Sequence, residues 1–126
     1  MASLGFKDYR FSISWPRLIP TGKINEGVNE EGVTFYNDLI DSLLRAGITP
    51  MVTLYHWDLP LALQERYGGF LSREVVGDFK DYSDLCFERF GDRVKSWITF
   101  NEPSCVCVLG YGLGIHAPGR ASDPGN

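Results

Sequence analysis

The sequence predicts an α/β fold with a parallel sheet, and within that class part of a (β/α)₈ TIM barrel, about three βα units of it. Three short apolar segments alternate with two long amphipathic segments, which gives the order strand, helix, strand, helix, strand. A glycine follows each amphipathic segment and leads into the next strand. Long loops follow the strands and short turns follow the helices, as in barrels whose upper loops build a site.

The first strand is rich in aromatic residues. The segment 1–5 is typical of the last turn of a helix, because Gly5 tolerates the left-handed conformation that ends helices. Residues 9–15 (YRFSISW) then alternate in polarity, and Pro16 removes a backbone donor, so we expect a strand that stops there. A loop follows to about Asn29.

A helix and a buried strand come next. Asn29 is a suitable N-cap before an acidic first turn, and Gly47 ends the periodic segment. The apolar side chains that recur in it at three- and four-residue steps are Phe35, Tyr36, Leu39, Ile40, Leu43 and Leu44. Residues 48–55 (ITPMVTLY) form a nearly continuous apolar run, which is typical of a strand buried on both faces of a parallel sheet.

The same order then repeats once. After a loop that carries a Tyr-Gly-Gly sequence, Ser72 is expected to cap a second helix that Gly91 ends. The predicted inner face of this helix is Val75, Val76, Phe79, Tyr82, Cys86 and Phe90. Residues 94–100 form the third strand and deliver the Asn-Glu-Pro sequence at 101–103, where a helix can begin. A doubly wound open sheet is the rival fold, but no strand leads into a G-x-G-x-x-G turn.

Composition and charge argue against several classes of partner. The chain has 12 basic and 16 acidic residues, a net charge of -4 and no block of Lys or Arg, so neither nucleic acid nor an anionic membrane surface is an expected partner. No run approaches the roughly 20 apolar residues of a membrane span. The odd set of three cysteines lacks C-x-x-C spacing, so no metal site or disulfide framework is predicted. A small neutral ligand suits this surface better.

Polar side chains lie in or directly after each strand. Arg10 is in the first strand, His56 follows the second and Glu102 follows the third, and parallel strands bring their carboxyl ends to one edge of the sheet. Glu102 is either a carboxylate that favours a helix N-terminus beside Pro103, or a catalytic acid. A catalytic acid must be protonated near neutral pH, which requires an apolar pocket or a nearby negative charge. The aromatic residues expected to provide that pocket are Tyr55, Trp57 and Trp97.

The neighbours of Glu102 also carry alternatives. His56 is either a hydrogen-bonded core histidine or, beside Trp57, a donor paired with an aromatic plane that suits a sugar ring. Arg10 is flanked by aromatic residues, where an unpaired guanidinium is costly, so it should face a carboxylate. No acid of this chain is an obvious partner for it. Asp58 is expected to cap a turn, and Cys86 to fill a core position.

Six motifs occur in an order that is highly specific. They are 9–18 (YRFSISWPRL), 56–60 (HWDLP), 67–69 (YGG), 90–94 (FGDRV), 99–103 (TFNEP) and 117–120 (APGR). Together they closely resemble glycoside hydrolase family 1, and the plant β-glucosidases in particular, over nearly the whole chain. The resemblance implies a retaining β-glycosidase on a (β/α)₈ barrel that needs no cofactor. Such an enzyme removes terminal non-reducing β-D-glucosyl residues from small glycosides by double displacement.

The resemblance also implies a role for each matching residue. Glu102 is similar to the general acid/base, Asn101 to the group that binds the sugar 2-hydroxyl, and His56 with Trp57 to part of the pocket for the non-reducing sugar. Arg10 is similar to the cation held against the nucleophile. In the family that nucleophile is a Glu in a Glu-Asn-Gly motif, which this sequence does not contain.

The resemblance further implies that residues 1–126 are an N-terminal-half fragment of a single (β/α)₈ glycosidase domain, without the first strand and the C-terminal half. Two interpretations from other classes stay open. The chain is either a module that binds a sugar without hydrolysing it, or a structural segment with no ligand.

We predict that the chain expressed alone is poorly folded and inactive. Three parallel strands leave two sheet edges unpaired, whereas a typical (β/α)₈ barrel has about 250 residues. The measurement is turnover of an aryl β-glucoside by the isolated chain. Turnover above that of a Glu102→Gln control would contradict the prediction.

Overall fold

Three parallel strands form one sheet in the order β1, β2, β3. In this computed structural model, which describes residues 2–121, the strands are β1 (Asp8–Ser12), β2 (Thr49–Tyr55) and β3 (Ser96–Phe100). The parallel α/β architecture predicted from the sequence is therefore present. The rest of the predicted single domain 1–126, which is Met1 and 122–126, lies outside the described residues.

Helices connect the strands. The α-helices of the described residues are α1 (Trp15–Leu18), α2 (Glu30–Arg45), α3 (Leu61–Tyr67), α4 (Glu74–Phe90) and α5 (Pro103–Cys105). Short 3₁₀ turns cover Ala2–Leu4, Ile24–Glu26 and Gly69–Leu71, and a π-helical segment, Val106–Gly112, continues α5. The two long crossover helices are α2 and α4, which return the chain to the start of the next parallel strand as a βαβ connection requires.

The register of the sheet brings the carboxyl ends of the strands together. Ser12 pairs with Thr53, and Tyr55 pairs with Phe100. Backbone hydrogen bonds extend this pairing beyond the strands, because the Asn101 N–H donates to the Tyr55 carbonyl over 2.9 Å. The residues that follow β2 and those that follow β3 therefore lie side by side at the carboxyl-terminal edge of the sheet.

The core holds that edge through Tyr82 of α4. Tyr82 is fully buried, and its ring stacks on Trp15 with centroids 5.0 Å apart. Its hydroxyl lies 3.0 Å from the Ile13 carbonyl and 2.8 Å from the Leu54 carbonyl. One side chain thus joins α4 to the ends of two strands, while Cys86 on the same helix is fully buried, as predicted.

The first strand ends earlier than the sequence predicts. β1 stops at Ser12, and Trp15–Leu18 is a helical turn rather than the end of a strand. Pro16 lies in the first turn of that helix, where its missing N–H needs no partner. The turn from β1 into this helix directs the side chain of Trp15 into the core, where it is fully buried. A strand that continued to Trp15 would instead have placed this large side chain on a face of the sheet.

The predicted helix faces are right for most residues and wrong at their margins. The exposed exceptions are Phe35, Leu44 and Val76. They lie at the rim of each apolar stripe, and Phe35 packs under the guanidinium of Arg17, 4.7 Å from its ring centroid. The apolar residues that recur at three- and four-residue steps cover a wider part of the helix surface than the part that packs on the sheet, so those at its margins stay exposed.

The predicted capping residues act differently from expectation. Asn29 is the N-cap of α2, but its side-chain nitrogen donates to the Arg17 carbonyl over 2.9 Å instead of the side chain capping the helix. Arg73, not Ser72, precedes α4, although the Ser72 hydroxyl still accepts the Glu74 N–H. Gly91 follows α4 in right-handed conformation, unlike Gly47, whose φ is 70°.

The long loop predicted after β2 contains a helix, α3. Only Leu63 of its seven residues is buried, so the segment has no apolar periodicity that distinguishes it from a loop. Gly68, with φ 84°, ends the helix in left-handed conformation.

We predict that Tyr82→Phe lowers the free energy of unfolding by about 1–3 kcal/mol, because the two buried carbonyl groups lose the one hydroxyl donor that they share. Urea denaturation of a folded protein that contains this chain measures the change. Tyr9→Phe is the matched control, since the Tyr9 hydroxyl has no partner among residues 2–121, and a change within about 0.5 kcal/mol is expected there. Equal effects of the two substitutions would contradict the assigned role of Tyr82.

Candidate active site

Hydrogen bonds from two other strands converge on Asn101, directly after β3. Its side chain and backbone are buried, with 8% of the residue exposed. The backbone N–H donates to the Tyr55 carbonyl over 2.9 Å, and the backbone carbonyl accepts the indole N–H of Trp57 over 2.8 Å. The side-chain oxygen accepts a short hydrogen bond from Nη2 of Arg10. This orientation leaves the amide nitrogen of Asn101 available to a ligand.

Arg10 is held by two neutral groups. Besides Nη2, which donates to Asn101, its Nε donates to the hydroxyl of the fully buried Thr53 over 3.1 Å. Within residues 2–121 Arg10 forms no ion pair, so the expected carboxylate partner is not found there. The guanidinium is also exposed rather than enclosed by aromatic rings, because β1 is an edge strand of the described sheet. Sequence reasoning missed Thr53, whose signal is a polar side chain between the apolar residues Val52 and Leu54 in the middle of a strand.

His56 and Trp57 make the turn that follows β2. His56 is exposed, which rules out the core-histidine interpretation, and it lines an open cavity together with Arg10 and Thr53. Trp57 has a left-handed backbone with φ 69°. Its ring is half-buried and meets His116 edge to face, with centroids 5.5 Å apart. A ligand in the cavity therefore reaches the imidazole of His56, whereas the indole N–H of Trp57 is already engaged.

Asp58 closes this turn, as expected. Its half-buried carboxylate accepts the backbone N–H of His56 over 3.3 Å and a hydrogen bond from the side chain of Ser14. Burial is the main influence on this group and raises the pKa of Asp58, while the hydrogen bonds from Ser14 and His56 oppose the shift. The same contacts join the turn after β2 to the residues after β1.

Glu102 has an exposed side chain on a constrained backbone. Its backbone is left-handed, with φ 45° and ψ 61°, and its carbonyl accepts the N–H groups of Cys105 and Val106 at the start of the next helix. As the alternative role at a helix N-terminus predicts, Glu102 precedes a helix whose first residue is Pro103, but its carboxylate makes no capping hydrogen bond. The residue begins the helix with its backbone and leaves its carboxyl group free.

The aromatic pocket expected around Glu102 does not include Trp97. Trp97 meets Phe87 edge to face at 4.9 Å, and its indole N–H donates to the Val94 carbonyl over 3.2 Å. It is the second residue of β3, and the three extended steps from Trp97 to Phe100 alone span about 10 Å at the usual rise of a strand. Tyr55 and Trp57 do lie at the edge of the sheet that carries Glu102.

Other kinds of site receive no support from the described residues. In the part of the chain from 2 to 121, His, Cys, Asp and Glu side chains form no cluster arranged to hold a metal. None of the helices in that range has the length and apolarity that crossing a membrane requires. Burial raises the pKa of the Cys86 thiol to about 12, as befits a core residue.

Similarity to solved structures defines the class of protein. A crystal structure of a rice β-glucosidase superposes with a TM-score of 0.94 at 55% identity, over 97% of this chain and 25% of that chain. The β-glucosidase of Thermotoga maritima in complex with castanospermine gives a TM-score of 0.91 at 55% identity, over 96% of this chain and 27% of that chain. These neighbours are (β/α)₈ barrels, and the predicted fold class is therefore confirmed as a part of such a barrel.

The chain belongs to glycosyl hydrolase family 1, whose family model matches residues 1–125. Beta-glucosidase 24 of Oryza sativa subsp. japonica is 58% identical over 99% of this chain and 25% of its own length. Beta-glucosidase 1B of Phanerodontia chrysosporium is 60% identical over 98% of this chain and 23% of its own length. The chain thus spans about a quarter of the length of the curated relatives it matches.

We predict that Asp58→Asn stabilises the fold increasingly as pH rises from about 4 to 7. In an unfolded chain the pKa of Asp is about 3.9, and burial raises it in the fold, so ionising Asp58 costs more in the folded state. The contribution of Asp58 is therefore most favourable below pH about 4 and is lost as pH rises through the raised pKa. Melting temperature against pH, for a folded protein that contains this chain, measures the difference.

The same substitution at the exposed Asp38 controls for the loss of one negative charge. A difference between the Asp58→Asn variant and wild type that shrinks as pH rises would contradict the prediction.

Proposed function

We propose that this chain supplies the acid/base half of the active site of a retaining β-glucosidase. The observation that carries the proposal is the exposed carboxyl group of Glu102, free of hydrogen bonds within residues 2–121, on a constrained backbone. It directly follows the buried Asn101, whose side chain binds the guanidinium of Arg10. Membership of glycosyl hydrolase family 1 supports it. The substrate class is a small β-glycoside with a terminal non-reducing glucosyl group.

The proposed reaction uses two carboxyl groups. Glu102 protonates the leaving oxygen while a second carboxylate, contributed by another part of the barrel, attacks the anomeric carbon from about 5–5.5 Å away. Glu102 then removes a proton from the water that releases the sugar. While the second carboxylate is ionised, its negative charge favours the protonated form of Glu102. General acid/base and nucleophilic catalysis account for every step, so no cofactor enters.

Arg10 is proposed to hold the second carboxylate. A guanidinium has five N–H donors, and Arg10 uses Nε and Nη2 for Thr53 and Asn101 within the described residues. The remaining donors suit a carboxylate approaching the open edge of β1. The hydrogen bond with Asn101 would then place the nucleophile and the residue before the acid/base on one connected network.

Asn101 and His56 are proposed to bind the sugar. The amide nitrogen of Asn101 remains as a donor once its oxygen has accepted Arg10, which suits the 2-hydroxyl. The imidazole of His56 faces the cavity that Arg10 also lines, and it suits hydroxyls of the non-reducing sugar. Trp57 contributes its ring rather than its N–H, since that group donates to Asn101.

We predict that Glu102→Gln lowers kcat/KM for a β-glucoside with a poor leaving group by about 10²–10⁴-fold, because the amide cannot donate the proton. The assay uses a chimera in which residues 2–121 replace the matching segment of the Thermotoga maritima β-glucosidase. For a dinitrophenyl β-glucoside, whose leaving group needs little protonation, we expect a much smaller decrease in kcat/KM, which reports the step in which the leaving group departs. Added azide should restore release of the sugar, because it replaces the water that Glu102 deprotonates.

Glu88→Gln is the matched control, because Glu88 is exposed on the surface of α4. A chimera that folds and keeps full activity after Glu102→Gln would contradict the proposed function. A chimera that binds glucose analogues without hydrolysing any glucoside would instead support the sugar-binding interpretation.

A further inference from the structure

Two residues without the freedom of glycine adopt left-handed backbone at neighbouring strand ends. Trp57, two positions after β2, has φ 69°, and Glu102, two positions after β3, has φ 45°. Side chains larger than hydrogen disfavour this region, so such residues persist only where surrounding contacts hold them. Residues of this kind cluster at functional sites, which directs attention to the contacts that hold Glu102.

The peptide bonds on both sides of Glu102 are fixed. On the C-terminal side, the Glu102 carbonyl accepts the N–H of Cys105 over 3.0 Å and that of Val106 over 3.3 Å. On the N-terminal side, the carbonyl of Asn101 accepts the indole N–H of Trp57 over 2.8 Å. The side chain of Glu102 has no hydrogen-bond or ion-pair partner among residues 2–121. Its direction therefore depends on its backbone, and the peptide plane before it is set by Trp57.

Trp57 is itself rigidly placed. The carboxylate of Asp58 accepts the His56 N–H and closes the turn that carries the indole. The ring meets His116 edge to face at 5.5 Å and lines a small apolar cavity with Tyr55 and Val106. The donor that reaches Asn101 thus comes from a well-packed side chain, which is what precise orientation of a neighbouring group requires.

We propose that Trp57 is a positioning residue for the acid/base. Its indole N–H holds the peptide between Asn101 and Glu102, keeps the Glu102 backbone in left-handed conformation and so aims the carboxyl group at the leaving oxygen. The proposal rests on the proposed function of Glu102. It differs from a role in binding the sugar, because the only N–H of the indole is directed at a backbone carbonyl.

The test is Trp57→Phe in the chimera, assayed with a series of aryl β-glucosides whose leaving groups differ in pKa. Misplacing the acid/base slows the departure of poor leaving groups, which need the proton, more than that of good ones. We expect the loss in kcat/KM to be about tenfold or more greater for methoxyphenyl than for dinitrophenyl β-glucoside. Equal losses for all leaving groups, as loss of sugar binding or of folded protein would produce, would overturn the proposal. No loss at all would overturn it as well.

Trp97→Phe is the matched control. The indole N–H of Trp97 also donates to a backbone carbonyl, that of Val94, but this hydrogen bond lies near the start of β3, at the end of the strand away from Glu102. We expect its dependence on the leaving group to match that of the unmodified chimera. If Trp57→Phe fails to fold, benzothienylalanine at position 57 is the second variant, because it keeps the shape of the indole ring and removes only the N–H donor. A larger loss for the poor leaving group would again support the proposal, and equal losses or no loss would again overturn it.

Glu102→Gln separates this proposal from the proposed function. If Glu102→Gln shows the steep dependence on the leaving group and Trp57→Phe does not, only the positioning role fails. If neither variant shows it, the acid/base assignment fails.

Discussion

The hydrogen bonds that converge on Asn101 are the constraint on which the candidate site depends. A buried amide and its backbone need partners, because leaving them unsatisfied costs more than each bond contributes. Those partners come from β1 through Arg10, from the end of β2 through Tyr55 and from the following turn through Trp57. Satisfying one residue therefore brings all three strand ends together, and Glu102 is the next residue in the chain.

The core keeps those strand ends in register. Tyr82 joins α4 to the carbonyls that follow β1 and lie near the end of β2, and Trp15 stacks on it from the short helix α1. The early end of β1 is part of this arrangement, since it allows Trp15 to reach the core. Packing behind the sheet and hydrogen bonding at its edge thus act on the same few residues. A change in either is expected to move the site.

The charged side chains of the site differ in whether their hydrogen-bonding groups all have partners. Asp58 has its partners in its own turn and in Ser14 after β1, and its burial favours the neutral form. Arg10 is hydrogen-bonded to neutral groups and retains donors, while Glu102 has none of its carboxyl oxygens engaged within residues 2–121. An open cation and an open acid at adjoining strand ends are the features expected of a site completed by another part of a barrel, as the proposed two-carboxylate mechanism requires.

The sequence by itself determined the class of fold, the order of the long helices and strands, and the family, because apolar periodicity and contiguous motifs are local properties. It also identified the strand ends where polar residues collect. Only the tertiary structure decided where β1 ends, that α3 exists, that Trp97 lies away from Glu102 and that the carboxylate of Glu102 makes no capping hydrogen bond. It alone assigned the indole N–H of Trp57 to Asn101, 44 positions away, and Arg10 to Asn101, 91 positions away. A hydrogen bond between residues so far apart leaves no trace in local pattern, since its geometry exists only once the sheet has formed.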